Sequence, residues 1–195
     1  MNRKSFLKGK VSEKTYDDLM NLHQELDEQF KLQFDRSVPF SDGFLDRWER
    51  AKKLGWGEGT SVYDSSYVFG NVQVGKKCWI GPFTIIDGSG GLSIGDNCTI
   101  SAGVHIYTHD NIKQTLSGGK MPIEKASIKI GTNTYIAPNT IITKGVTIGS
   151  SCLIGANSLI KKDLPDFSIA AGNPAKIIGK VQIENDQIKL VYKSL

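Results

Sequence analysis

Two of the chain's three histidines, His105 and His109, stand four residues apart in "VHIYTHDNIK", amid Val, Ile, Gly and Thr. Imidazole is the side chain whose ordinary titration straddles neutrality, so a histidine can take a proton from an attacking hydroxyl or amine and return it. A carboxylate that could orient such a base lies upstream as Asp87, in "IIDGSGG". Two readings of Asp87 stand side by side. It orients a histidine or grips an acceptor hydroxyl, or it caps the turn made by Gly88 to Gly91. His105 likewise either lines an acceptor pocket or is an outward-facing strand residue. The three cysteines, Cys78, Cys98 and Cys152, are an odd set with no CxxC pair, which argues against a disulfide framework and a zinc knuckle. A zinc site of three histidines would have to draw on His23, which falls in a different part of the chain, so no metal is expected.

The elements around these residues follow two grammars. Up to about residue 58 the chain reads as helical. From Val11 to Phe34 the apolar side Tyr16, Leu19, Met20, His23, Leu26 and Phe30 recurs at three- and four-residue steps. A second helix is expected through "FLDRWERAKKL", capped by Ser41 or Asp42 and ended by Gly55. From Val62 a step of six takes over: Val62, Val68, Val74, Ile80, Ile86, then Ile94, Ile100 and Ile106 after a two-residue slip at "GSGG", then Ile130 through Ile160. Gly follows the aliphatic at 75, 81, 95, 131, 149 and 155. A fixed period of this kind marks a repeat architecture. Six residues fit neither an α-helix nor a hairpin meander, but they fit a solenoid whose flat sides are short parallel strands. The fourth residue after an aliphatic is usually small or β-branched (Thr84, Val104, Thr134, Thr140, Val146, Ser158), and all three cysteines share that position. They read as core-lining residues.

The register fails directly after His109. Residues 110–126, "DNIKQTLSGGKMPIEKA", hold no hexapeptide, and the coil resumes at "SIKIGTN". Loops of this length in a compact domain are usually functional or disordered. The bulk properties are those of an ordinary protein: net charge +4, 39% apolar and 23% charged residues. There is no basic run with interleaved aromatics, which leaves nucleic-acid binding without support. No segment is apolar for long enough to span a bilayer. The opening "MNRKSFLKGKVSEK" lacks the features of a secretory signal, so a cytoplasmic location is expected.

The repeat over residues 62–178 resembles the left-handed parallel β-helix acyltransferases. The segment "SIKIGTNTYIAPNTIITKGVTIGSSCLIGANSLIKKDLPDFSIAAGNPAKII" is similar to the tail of the galactoside, maltose and polysaccharide O-acetyltransferases through its Asn-Pro-Ala-Lys ending. The resemblance implies an all-β solenoid with an N-terminal helical cap. Residues 1–58 would form the helical region, 59–179 the coil with its extended loop 110–126, and 180–195 a C-terminal extension. It also implies a three-sided, left-handed coil of about 18 residues per turn, against the usual right-handed rule for parallel crossovers. In these enzymes the catalytic histidine sits where a long loop leaves the coil, and "IYTHDN" assigns that role to His109. Acetyl-CoA is the implied co-substrate, with Pro138, Ala156, Lys161, Lys162 and Lys176 as its implied contacts. Lys161 and Lys162 can also be read as solvated surface lysines. A homotrimer with active sites between subunits is implied as well. There are departures from the pattern: Thr108 adjoins His109 and Asp110 follows it, and Tyr135 and Ala137 stand where Trp and Gly are common. The expected function is transfer of acetyl to a sugar hydroxyl in surface polysaccharide or lipopolysaccharide biosynthesis. N-acetylation of a nucleotide-linked amino sugar is the alternative, and a non-catalytic scaffold is the alternative of a different class.

Overall fold

The computed structural model describes residues 3–185 and 187–193. The chain divides into two compact units, Met1–Asp46 and Arg47–Leu195.

The first unit holds a 3-10 turn, Arg3–Leu7, the helix α1, Ser12–Phe34, and a single-turn helix α2, Phe40–Phe44. The apolar side of α1 meets α2, with the His23 ring edge-on to Phe40 at 5.3 Å. His23 is thus a half-buried packing residue. The single helix expected after "SDG" is two. The backbone is extended at Leu45 (φ −98°, ψ 124°), and α3, Arg47–Lys53, begins beyond it. Gly43, a poor helix former, lies just before the break. Ser41 and Asp42 fall inside α2 rather than capping it, since Pro39 holds the N-cap position. Gly55, at φ 74°, closes the turn after α3 as expected.

In the second unit α3 packs on the first strand of a coil. Ala51 is buried there, and the Arg50 guanidinium donates to the carbonyls of Tyr63 and Ser66. The coil is a left-handed parallel β-helix with three sides. The first side stacks Ser61–Val62, Trp79–Ile80, Thr99–Ile100, Tyr135–Ile136, Leu153–Ile154 and Ser168–Gly172 in parallel. The second side carries His105–Ile106, Ile141–Ile142 and Leu159–Ile160, and the third carries Ile128–Ile130 and Thr147–Ile148. Two longer strands, Tyr67–Val74 and Ile85–Ile94, run round the corner between the second and third sides.

The six-residue step produces this shape directly. Ile80, Ile86, Ile100, Ile106, Ile136, Ile142 and Ile154 have no exposed surface. Burying each such side chain is worth about 1.5–3 kcal/mol. At the corners, the third residue after an aliphatic takes the left-handed conformation, which is why Asn and Gly recur there: Asn97, Gly103, Asn133, Asn139, Gly145 and Asn157. The glycine after the aliphatic is required by the next rung. A Cβ on Gly131 would lie 2.5 Å from the Ser150 nitrogen. The three cysteines are buried free thiols whose sulfurs meet the carbonyls of Gly95, Gly131 and Pro165 at 3.1–3.3 Å.

Beyond the coil, Ser168–Gly172 pairs antiparallel with Ala175–Glu184, which pairs with Gln187–Tyr192. The residues after 179 therefore continue the first side as a hairpin. The excursion after His109 is ordered. His109–Asp110 pairs antiparallel with Glu124–Lys125, and the short helix α4, Ile112–Leu116, lies between them. Among the described residues no helix is long and apolar enough to cross a membrane.

Candidate active site

The two-residue slip seen in the sequence falls at one corner. Gly70 pairs with Gly88, but Val72 pairs with Leu92, so the later strand has two residues more than its neighbour. Asp87 starts this bulge and is 1% exposed. Its Oδ1 accepts from the Ser89 amide at 2.9 Å, closing the turn. Its Oδ2 accepts from the Thr108 amide at 2.8 Å and lies 2.8 Å from His109 Nδ1. Both readings of Asp87 thus describe real contacts, one made by each oxygen. Burial opposes its charge, but the donors from Ser89, His109 and Thr108 outweigh burial and hold its carboxyl well below the usual carboxylate range.

An ionised carboxylate can only accept, so His109 Nδ1 carries the proton and Nε2 of the neutral ring holds the free lone pair. The imidazole is 38% exposed while its partner is buried. It faces a cleft of about 450 Å³ lined by Tyr107, Asn111, Ile112, Ile123, Thr143 and Lys144. The cleft lies between the coil and the lobe formed by residues 109–125.

Ion pairs tie the lobe to the coil. Lys144, on the rung next to Tyr107, contacts both Asp110 and Glu124, and Glu124 also pairs with Lys113 on α4. Lys144 holds the Asp110 carboxyl below its ordinary range, Lys113 and then Lys144 do so for Glu124, and Asp110 and then Glu124 raise Lys144. Nothing in the sequence alone singles out Tyr107, Thr143 or Lys144. They become visible only once the lobe is removed from the count, which sets Ile106 beside Ile142.

Residues 127–162 match the family described as bacterial transferase hexapeptide (six repeats), and residues 71–108 match the hexapeptide repeat of succinyl-transferase. The chain is a hexapeptide-repeat protein. It is 28% identical over 139 residues to the galactoside O-acetyltransferase of Escherichia coli K12, covering 61% of this chain and 67% of that one. It is 29% identical over 116 residues to a probable acetyltransferase of Mycobacterium tuberculosis, covering 58% of this chain but 39% of that one. The chain thus aligns with well under half of the mycobacterial relative's length. Among solved structures, a mutant of AntD, an N-acyltransferase from Bacillus cereus, in complex with dTDP and coenzyme A superposes with a TM-score of 0.57 at 21% identity. That match covers 68% of this chain and 88% of AntD. At this identity the likeness concerns the fold.

In this hexapeptide-repeat protein the positions singled out for coenzyme A fall at two corners. Pro138 and Ala156 are exposed on successive rungs where the first side meets the second, and Asn157 N donates to the Pro138 carbonyl. Lys176 joins them. It pairs with Ala171, which lies directly over Gly155. Lys161 and Lys162, also exposed, follow Leu159–Ile160 at the other edge of the second side, on the corner of Thr143 and Lys144. His105 lies on the outer face of that side between Ile85 and Ile141, with Nδ1 3.3 Å from the Tyr107 hydroxyl. It therefore touches a residue of the cleft wall.

Proposed function

We propose that the protein is an acetyl-CoA-dependent acetyltransferase that acetylates a sugar hydroxyl in surface polysaccharide or lipopolysaccharide assembly, with His109 as general base. One observation carries this reading: an exposed imidazole, fixed at Nδ1 by a buried carboxylate, lines a cleft large enough for a saccharide unit, with Nε2 left free for a substrate proton. The similarity to a galactoside O-acetyltransferase supports the acceptor class.

Nε2 takes the acceptor's proton as its oxygen attacks the thioester carbonyl. The new C–O bond forms, the C–S bond breaks, and the coenzyme A thiolate leaves with the proton from the imidazolium. Asp87, held ionised, stabilises that imidazolium without taking its proton. The corner of Pro138 and Ala156 is open to a pantetheine arm, and Lys176 beside it suits the 3′-phosphate. Lys161 and Lys162, exposed on the rung next to Thr143 and Lys144, offer further cations to the anionic end of the donor. Three copies associate through residues 62–178, a state that analytical ultracentrifugation at micromolar concentration would reveal and a monomer would refute.

The test is acetyl-CoA consumption with free sugars, lipid-linked oligosaccharides and nucleotide-linked sugars as acceptors. A product labile to hydroxylamine is the expected O-ester. A hydroxylamine-stable product formed only on a nucleotide-linked amino sugar would replace this reading with N-acetylation. No acetyl-CoA binding in a thermal-shift assay would point to a scaffold.

A further inference from the structure

The Asp87–His109 pair is held by a third residue. Thr108 is fully buried between them. Its amide donates to Asp87 Oδ2 at 2.8 Å, and its hydroxyl lies 2.9 Å from the same oxygen and 3.0 Å from the Asp87 carbonyl. The hydroxyl in turn accepts from the Gly90 amide at 2.8 Å. A hydroxyl has one proton. With the Gly90 N–H occupying a lone pair, that proton is left to point at Asp87, where the ionised Oδ2 is the stronger acceptor. Oδ2 therefore collects three donors: the Thr108 amide, the Thr108 hydroxyl and His109 Nδ1. Gly90 can come this close only without a side chain, since a Cβ there would lie 2.5 Å from the Thr108 carbonyl oxygen and 3.0 Å from the Ala126 nitrogen. The two extra residues of the bulge bring in the amide that orients the hydroxyl.

We infer that Thr108 is a positioning residue. Through its hydroxyl, itself oriented by the bulge, it fixes Asp87 Oδ2 and shares that oxygen's charge with His109, and so sets both the direction of the imidazole and how strongly the carboxylate favours its protonated form. This rests on His109 being the base. The charged groups around the ring are Asp87 from the bulged strand, Asp110 beside it, Lys125 across the lobe's strand pair and Lys144 from the next rung. Asp87 touches both Thr108 and His109.

The test compares Thr108→Val, which keeps the shape and loses the hydroxyl, with Thr108→Ser, which keeps the hydroxyl. Removing one donor leaves more of the Oδ2 charge for the imidazolium. In Thr108→Val the acid limb of the turnover profile should therefore move to higher pH, and turnover at its plateau should fall about ten-fold. The Michaelis constant for acetyl-CoA should not change. Thr108→Ser should keep the parent's limb. The His109 Nδ1–H proton resonance, read by NMR without any substrate, should shift in the Val protein and not in the Ser protein. A folded Thr108→Val protein with the parent's pH limb and the parent's resonance overturns the inference, and so does a Ser protein that behaves like Val. If His109→Ala retains turnover, it is the base assignment that fails, and the NMR comparison still decides whether Thr108 positions the ring.

Discussion

Two stretches of the coil use aspartate in the same way and obtain different results. In the later turns, from Ile128 onward, Asp163 and Asp166 stand exposed at corners and accept from the amides of Thr147 and Ser150 at 2.7 Å. Rungs there lie 18 residues apart where Ile136 meets Ile154 and Ile142 meets Ile160, and the turn that carries the two aspartates is two residues shorter, with Ile148 beside Leu164 and Ile154 beside Ala170. In the earlier turns Asp87 also accepts from a corner amide, that of Ser89. There, however, the strand is bulged and a lobe leaves the neighbouring rung, so the carboxylate is covered and meets an imidazole. Among the described residues of the coil, Asp87 is the one buried carboxylate. The repeat builds the scaffold, and the Asp87–His109 pair stands where two interruptions of the repeat meet.

The largest effect that would break this contrast belongs to His109. His109→Ala should lower turnover by about 10²- to 10⁴-fold, with acetyl-CoA affinity nearly unchanged in a direct binding titration. An unchanged turnover would return the interrupted region to mere packing.

Asp87→Asn comes next. The amide can present its NH₂ to Nδ1 and favour the wrong tautomer, so turnover should fall about 10²-fold or more. The same variant tests stability. The Asp87 carboxyl sits below its ordinary value in the folded chain and near 3.9 in the unfolded one. Its contribution is therefore complete above about pH 4 and lost as pH falls toward the folded value. Thermal melts of Asp87→Asn should depend less on pH below about 4 than melts of the parent. A parallel dependence would show that the charge adds nothing to folding.

Lys176→Ala should weaken coenzyme A about ten-fold or more, the cost of one charge-assisted contact, and weaken dephospho-coenzyme A less. Equal losses, measured by calorimetry, would separate Lys176 from the 3′-phosphate. The smallest effect is expected at the exposed corners of the later turns. Asp166→Ala should lower the melting temperature modestly and leave turnover alone. A loss of turnover there would mean that corner aspartates act on the site even where they are exposed and meet no imidazole.

The sequence carried the coil well, because the aliphatics at the six-residue step point inward and many corners state their conformation through Asn or Gly. It also located both interruptions, as a two-residue slip and as a lost register. It could not say that the two meet, since Asp87 and His109 come together only across adjacent rungs. Nor did it show the Lys144 network, whose members are ordinary surface charges until Ile106 is placed beside Ile142. The helix expected to run through Leu45 failed for a local reason, an extended backbone just after Gly43. The C-terminal hairpin has no hexapeptide, so the repeat was silent about it.

The lobe's length has a further consequence. Ile106 and Ile142 lie side by side although 36 positions separate them, twice the step of the later rungs, and Ile142 then meets Ile160 at the ordinary 18. The lobe therefore consumes one turn's worth of chain and returns it to the coil in register. Its stems close on each other through the Ala126 amide and the Thr108 carbonyl at 2.9 Å. Any insert that keeps His109 and whose ends reach those two residues would leave the rungs on either side unmoved. The wall of the cleft is thus an exchangeable cassette, free to diversify or be transplanted while the stack that carries it stays constant.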